Sequence, residues 1–364
     1  MPEQPQSSSR TGSTPVPWTR RRLWATASRR QALGTGIGVL AAGLIILAAH
    51  GRAPTPPAGE AVVEIPLGTS FRAVVDTLAN REVITRPLLF RIYGRVRRLD
   101  RSVKAGTYRL PRGARLGEIH AVLAEGRVVT FPVLFPEGLT IGRMVRRIAD
   151  AAGADSASVA RFLDGEDLHL RWEVPGPGLE GYLFPDTYRF AHGVGTERVV
   201  SAMIARYHAY WTPERRERLA ESGMSEREVV TLASIIQAEA GNLAEMRTIS
   251  SVFHNRLRTG MLLQADPTVH YALTDAFGGR RSRLLYAAMD SVADHPYSTY
   301  HHPGLPPGPI CAPGTHALDA ALNPADTDYL YFVAGGGEGG HIFSRSLDEH
   351  NAAIRRVRGA ASGR

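Results

Sequence analysis

Ser225–Gly241 reads SEREVVTLASIIQAEAG, and the rest of the chain is best understood outward from it. Ser225 followed three residues later by Glu228 is a capping box, and Gly241 is a natural stop, so the spacing predicts one helix over Ser225–Ala240. On that helix Leu232, Ile235, Ile236 and Glu239 fall at i, i+3, i+4 and i+7. A carboxylate therefore sits on the stripe that otherwise faces a core. Partial burial raises a carboxyl pKa, as does the negative end of the helix dipole, and both push Glu239 toward the protonated form that a general acid requires. The alternative is a Glu paired to Arg247 or Arg256 of the following segment, and spacing alone leaves that open.

C-terminal to this helix, Ala244–Arg258 (AEMRTISSVFHNRLR) predicts a second one, packing Met246, Ile249, Val252, Phe253 and Leu257 and ending at Gly260. In LQADPTVHY (263–271), Asp266 precedes Pro267 and so reads as a helix cap, while remaining the best second carboxylate. Pro296–Pro313 (PYSTYHHPGLPPGPICAP) is too rich in Pro, Gly and Tyr to be regular. It reads either as an aromatic wall suited to sugar faces or as a rigid structural loop. Tyr329–Ala334 and His341–Ser344 are expected as strands joined by a Gly-rich turn, with His341 and Phe343 on one face lining a cleft. Without a preceding strand and a following helix, GGGEGG is no phosphate loop. The histidines, including His301, His302, His341 and His350, show no HExxH spacing, so no metal site is expected, and Cys311 has no activating constellation. N-terminal to the helix, LEGYLFPDTY (179–188) has the composition of a functional loop.

Nearer the N-terminus one template occurs three times, in Val63–Leu78 (VEIPLGTSFRAVVDTL), Tyr108–Leu123 (YRLPRGARLGEIHAVL) and Val133–Ile148 (VLFPEGLTIGRMVRRI). Each is a strand, a Pro-x-Gly turn and a helix with one apolar face. One such unit cannot bury its own helix, so the units are expected to pack together. Small modules of this look resemble LysM-like domains, which bind N-acetylglucosamine polymers; a plain spacer is the other reading.

Ala32–Ala49 (ALGTGIGVLAAGLIILAA) is uncharged, mostly apolar and just long enough to cross a bilayer, and five arginines precede it. We therefore expect a cytoplasmic basic tail (1–31), a single transmembrane helix (32–50), a Pro-rich linker (51–60), the LysM-like module (61–130) and a mixed α+β domain (131–358), the last two outside the cytoplasm. A cleaved signal peptide competes with the retained anchor. No cysteine follows the run, which excludes a lipoprotein anchor. The 364 residues carry a net charge of +8, much of it in the arginine-rich ends. With no evident basic stripe interleaved with aromatics, nucleic acid is not an expected partner. One cysteine excludes an intramolecular disulfide.

LEGYLFPDTY, LASIIQAEAG, LQADPTVHYAL, GLPPGPI, YLYFVA and GGHIFS with EHN occur in this order from Leu179 to Asn351, and together they resemble the endolytic murein transglycosylase (YceG-like) family. The resemblance implies an α+β catalytic domain, a lyase activity and no cofactor. It implies peptidoglycan glycan strands as substrate, cut between N-acetylmuramic acid and N-acetylglucosamine to leave a 1,6-anhydro end, near the synthases that make them. It places the catalytic carboxyl on Glu239; many members have a second Glu two residues earlier, where this chain has Gln237. Candidate substrate-binding residues are Tyr182, Asp186, Tyr188, Asn255, Gln264, Asp266, Tyr271, Tyr300, His341 and Phe343. A lysozyme-like hydrolase using Asp266 to place water, and a non-catalytic wall-binding scaffold, are the alternatives.

Overall fold

A computed structural model of the chain describes residues 59–66, 68–277, 289–335 and 340–362, together with Gly43. The expected tail, the apolar run other than Gly43, nearly all of the linker and residues 336–339 of the Gly-rich turn lie outside the described residues. Among the described residues no helix is long and apolar enough to cross a membrane. The chain divides into two units at Val128–Val129.

The first unit runs β1 (Glu60–Ile65), α1 (Phe71–Asn80), α2 (Pro87–Val96), β2 (Gly106–Pro111) and α3 (Leu116–Glu125). Strict alternation along β1 points Ala61, Val63 and Ile65 inward. It pairs antiparallel with β2, Val63 opposite Tyr108. The helices close over one face, burying Val74, Leu78, Phe90, Leu110, Ile119 and Leu123 almost completely. Ser70 caps α1 by accepting from the Ala73 N–H.

The second unit contains β3 (Phe131–Phe135), α4 (Ile141–Ala152), α5 (Ser156–Leu163), α6 (Leu168–Arg171), β4 (Asp186–Phe190), α7 (Thr196–Tyr210) and α8 (Pro213–Ser222). It continues with α9 (Glu226–Glu239), α10 (Met246–Thr259), α11 (Asp266–Phe277), α12 (Thr315–Leu322), β5 (Tyr331–Ala334), β6 (His341–Ser344) and α13 (Leu347–Ser362). The fold is mixed α+β.

All three expected strand–turn–helix segments form. The Pro-x-Gly glycines, Gly68, Gly113 and Gly138, each have φ between +69° and +80°, a region closed to most side chains, which is why glycine ends each turn. The three segments do not pack as one set, however. The first two share a sheet and a core, whereas β3 of the third pairs antiparallel with β4, Val133 opposite Tyr188, inside the second unit.

Helix α9 is the axis of the second unit. Val229 to Ile236 are buried without a break, so the helix is enclosed on all sides rather than on one stripe. The buried Ser234 hydroxyl accepts from the Ile310 N–H at 3.0 Å, and the Ser234 carbonyl accepts from the Cys311 thiol. Gln237 Oε1 takes the Gly314 N–H. The second half of the Pro-rich loop is thus a rigid strap bonded to α9, which satisfies polar groups that burial would otherwise leave unpaired. Burial also raises the Cys311 thiol pKa far above its ordinary value, which makes it a packing residue.

Candidate active site

Ser225 caps α9 and its capping box with Glu228 forms as expected. The C-terminus differs: Ala240 turns to extended backbone (φ −69°, ψ 122°), so the helix stops before Gly241 rather than at a left-handed glycine. That turn leaves Glu239 as the last helical residue, at the edge of a cavity of about 420 Å³. The cavity is lined by residues from six segments: Glu239; Arg256 of α10; Leu263, Gln264 and Asp266; Tyr300 of the Pro-rich loop; Tyr331–Ala334 with His341 of the hairpin; and Leu347 with His350 of α13. A larger concavity of about 760 Å³ opens at the other end of α9, against Arg227, Arg258 and Gly304–Pro307. Its carboxylate, Glu228, is committed to capping Ser225, whereas the smaller cavity holds the Glu239 carboxyl.

Glu239 keeps part of its surface open to the cavity while protein surrounds most of the carboxyl. Burial, then the charge of Asp266, push its pKa up to about 8, and Arg256 opposes them. The pairing to arginine left open above is not made: Arg247 donates to the Asn323 carbonyl. Arg256 directs Nε at the Leu330 carbonyl (2.7 Å) and Nη1 at Leu263 (2.7 Å). Glu239 therefore holds its proton at neutral pH. Asp266 begins α11, and its Oδ1 accepts the Tyr300 hydroxyl at 2.6 Å. At the far wall Glu245 accepts both the His341 N–H (2.8 Å) and a contact from Nδ1 (2.9 Å), which orients the imidazole.

Four of the ten expected contact residues, Gln264, Asp266, Tyr300 and His341, line the cavity with Glu239. The other six do not. Tyr182 is fully buried, packed edge-on to Tyr207. Asp186 pairs with Arg206 at 2.8 Å, and the Tyr188 hydroxyl donates to the Phe184 carbonyl. Asn255 donates to the Thr327 and Tyr329 carbonyls, pinning the approach to β5. Tyr271 packs on Tyr297, and Phe343 packs on Phe332 and Tyr329 beside His341. LEGYLFPDTY is thus architectural: both Glu180 oxygens accept from the Ile141 N–H, capping α4 in place of Thr140, and burial raises the Glu180 pKa to about 7. Arg256 was foreseen only as a possible partner of Glu239. It lies on the apolar stripe Ile249–Val252–Phe253 at the next helical step, the same signal that singled out Glu239.

The sequence profile of the YceG-like family matches residues 63–356. The chain belongs to the YceG-like family. An endolytic murein transglycosylase of Bacillus subtilis (strain 168) is 35% identical over 307 residues, an alignment covering 80% of this chain and 83% of that protein. One of Streptococcus pneumoniae serotype 2 (strain D39 / NCTC 7466) is 26% identical, covering 80% of this chain and 57% of the relative. Among solved structures, a YceG-like protein of Listeria monocytogenes aligns with a TM-score of 0.55 and 32% identity, over 81% of this chain and 99% of that one. The YceG-like match spans both units, so the first belongs to the family's architecture as much as the second.

The two carboxylates make opposing predictions about pH. With Glu239 acting as a general acid through its protonated form, activity is expected to fall as pH rises through about 8. Asp266→Asn removes the charge that helps hold that proton. Its alkaline limb should move to lower pH, with activity reduced but retained; a pH–rate profile that does not move would show that the two groups do not interact.

Proposed function

We propose that the chain is an endolytic peptidoglycan lytic transglycosylase, a lyase that cleaves the β-1,4 bond between N-acetylmuramic acid and N-acetylglucosamine within glycan strands, with Glu239 as its acid/base. The observation that carries this reading is the largely buried Glu239 carboxyl, its pKa pushed up to about 8, at the wall of a cavity that has aromatic and polar sides. Glu239 gives its proton to the glycosidic oxygen as the bond from the muramic C1 breaks. The C6 hydroxyl of the same sugar attacks C1, and its proton passes to the Glu239 carboxylate. A 1,6-anhydro ring forms, no water is consumed and the enzyme is restored. Because the nucleophile is part of the substrate, its entropy cost is already met, and one carboxyl suffices where an ordinary glycosidase needs two. Gln264, Tyr300 and His341 offer hydrogen bonds to sugar hydroxyl and acetamido groups.

Asp266 in the same cavity supports the second reading, a muramidase in which it positions water. Digestion of purified peptidoglycan separates the two. We expect muropeptides ending in anhydro-muramic acid, one water lighter than hydrolytic products; reducing ends alone would replace the lyase with the hydrolase.

The finer assignments follow from the same reading. The β–α–α–β run that opens the first unit, with its two strands antiparallel and α3 packed onto the same core, supports a LysM-like module. The arginines before Ala32–Ala49 support a retained single-pass anchor that places both units outside the cytoplasm, beside the bilayer and the synthases. Full-length protein should then stay with membranes through alkaline carbonate extraction; release would make the segment a cleaved export signal.

A further inference from the structure

Helix α2 of the first unit presents an apolar stripe to solvent. Leu88, Ile92 and Val96, at i, i+4 and i+8, are 66%, 41% and 63% exposed. Phe90 and Gly94 form the buried side of this helix, so its core-facing surface is already used. Phe71, Arg72, Arg91, Arg95 and Asp100 complete a groove of about 490 Å³ around the stripe. Among the described residues neither Arg91 nor Arg95 makes an ion pair. Residues 71–104 hold nine Lys and Arg against three acidic residues, so the positive charge of this chain gathers here and not only at its ends. An exposed helix with apolar residues on one line and arginines beside them matches an interfacial membrane helix.

We propose that the α2 face docks on the surface of a bilayer rich in anionic phospholipid, with Leu88, Ile92 and Val96 among the headgroups and the arginines on their phosphates. The proposal rests on the membrane-anchor reading for its geometry. Ten residues separate Ala49 from Glu60. A Pro-rich spacer of that length spans roughly 30 Å, comparable with the diameter of a 70-residue module, about 25–30 Å. The first unit is thereby confined within about one diameter of the headgroups, where even weak affinity is effective. Each arginine near an anionic surface adds roughly fivefold to partitioning. Docking through α2 would fix the height and tilt of the first unit relative to the membrane.

Among the described residues the three hydrophobic core clusters lie wholly beyond residue 60, so residues 53–364 retain them and can be tested without the anchor. Sedimentation with phosphatidylglycerol–phosphatidylcholine vesicles should show salt-sensitive binding, with little binding to phosphatidylcholine alone. Leu88→Ser/Ile92→Ser/Val96→Ser and, separately, Arg91→Gln/Arg95→Gln should each weaken it tenfold or more, with unchanged melting, since these side chains are exposed. In the full chain in phosphatidylglycerol nanodiscs, Ile92→Trp should be quenched by brominated lipid. Equal binding to neutral and anionic vesicles, undiminished binding by either variant, an unquenched Trp, or tighter binding to an oligonucleotide than to the vesicles would each overturn the proposal. Carbonate extraction tests the anchor separately, so failure of one reading is distinguishable from failure of the other.

Discussion

Glu239→Gln should leave the second unit folded and lower the rate of glycan cleavage by about 10²–10⁴-fold, the usual contribution of a general acid/base. The amide is nearly isosteric and can still donate a hydrogen bond, but it cannot transfer a proton and take one back. The variant should also be more stable than wild type at and above neutral pH. Glu239 has a folded pKa of about 8 against an ordinary 4.5, so between these values the folded chain holds a proton that the unfolded chain has released. Stability contributed by the neutral carboxyl is present in full below pH 4.5 and is lost as pH rises toward 8. Glutamine, which does not titrate, removes that loss. Activity within a few-fold of wild type would take the acid/base role away from Glu239; lost activity with lowered stability would mean that the substitution had disrupted the cavity.

Helix α9 and its carboxyl were legible because the signals are local: a capping box at Ser225 and a period that runs unbroken to Glu239. The strand–turn–helix segments were legible for the same reason, through Pro-x-Gly. What was not legible was long-range. Nothing near Val133 says that its strand pairs with Thr187–Phe190 rather than with Val63 or Tyr108, because antiparallel partners are selected by the packing of faces far apart in sequence. LEGYLFPDTY has the Tyr and Pro content of a binding loop, yet Tyr182 is buried to 0% exposure and Glu180 caps a helix 39 residues away. Polar groups in conspicuous motifs serve architecture as readily as chemistry. The cavity could be assembled only once α9, the 263–266 segment, Tyr300 and the hairpin had been brought together.

Arg256→Met tests that assembly. Arg256 is 7% exposed and donates to the Leu330 carbonyl, where β5 begins, and to the Leu263 carbonyl, on the segment leading to Asp266. Its guanidinium also lies 5.3 Å from the Tyr331 ring. Methionine fills much of the volume but leaves both carbonyls unpaired, and buried charge-assisted hydrogen bonds cost about 1.5–3 kcal/mol each. We expect a loss of about 3 kcal/mol or more, which for a domain of this size lowers Tm by on the order of 10 °C. Lysine should not rescue it, because a single ammonium cannot match a planar fork aimed at two separate carbonyls. A second readout distinguishes scaffold from electrostatics. The Arg256 charge pulls the Glu239 pKa down, so its removal should push the alkaline limb of the residual activity above pH 8, opposite in direction to Asp266→Asn. If Arg256→Met melts like wild type, the two carbonyls do not depend on it. If the limbs of the two variants move the same way, Glu239 does not sit between opposing charges; if neither moves, its proton is held by burial alone.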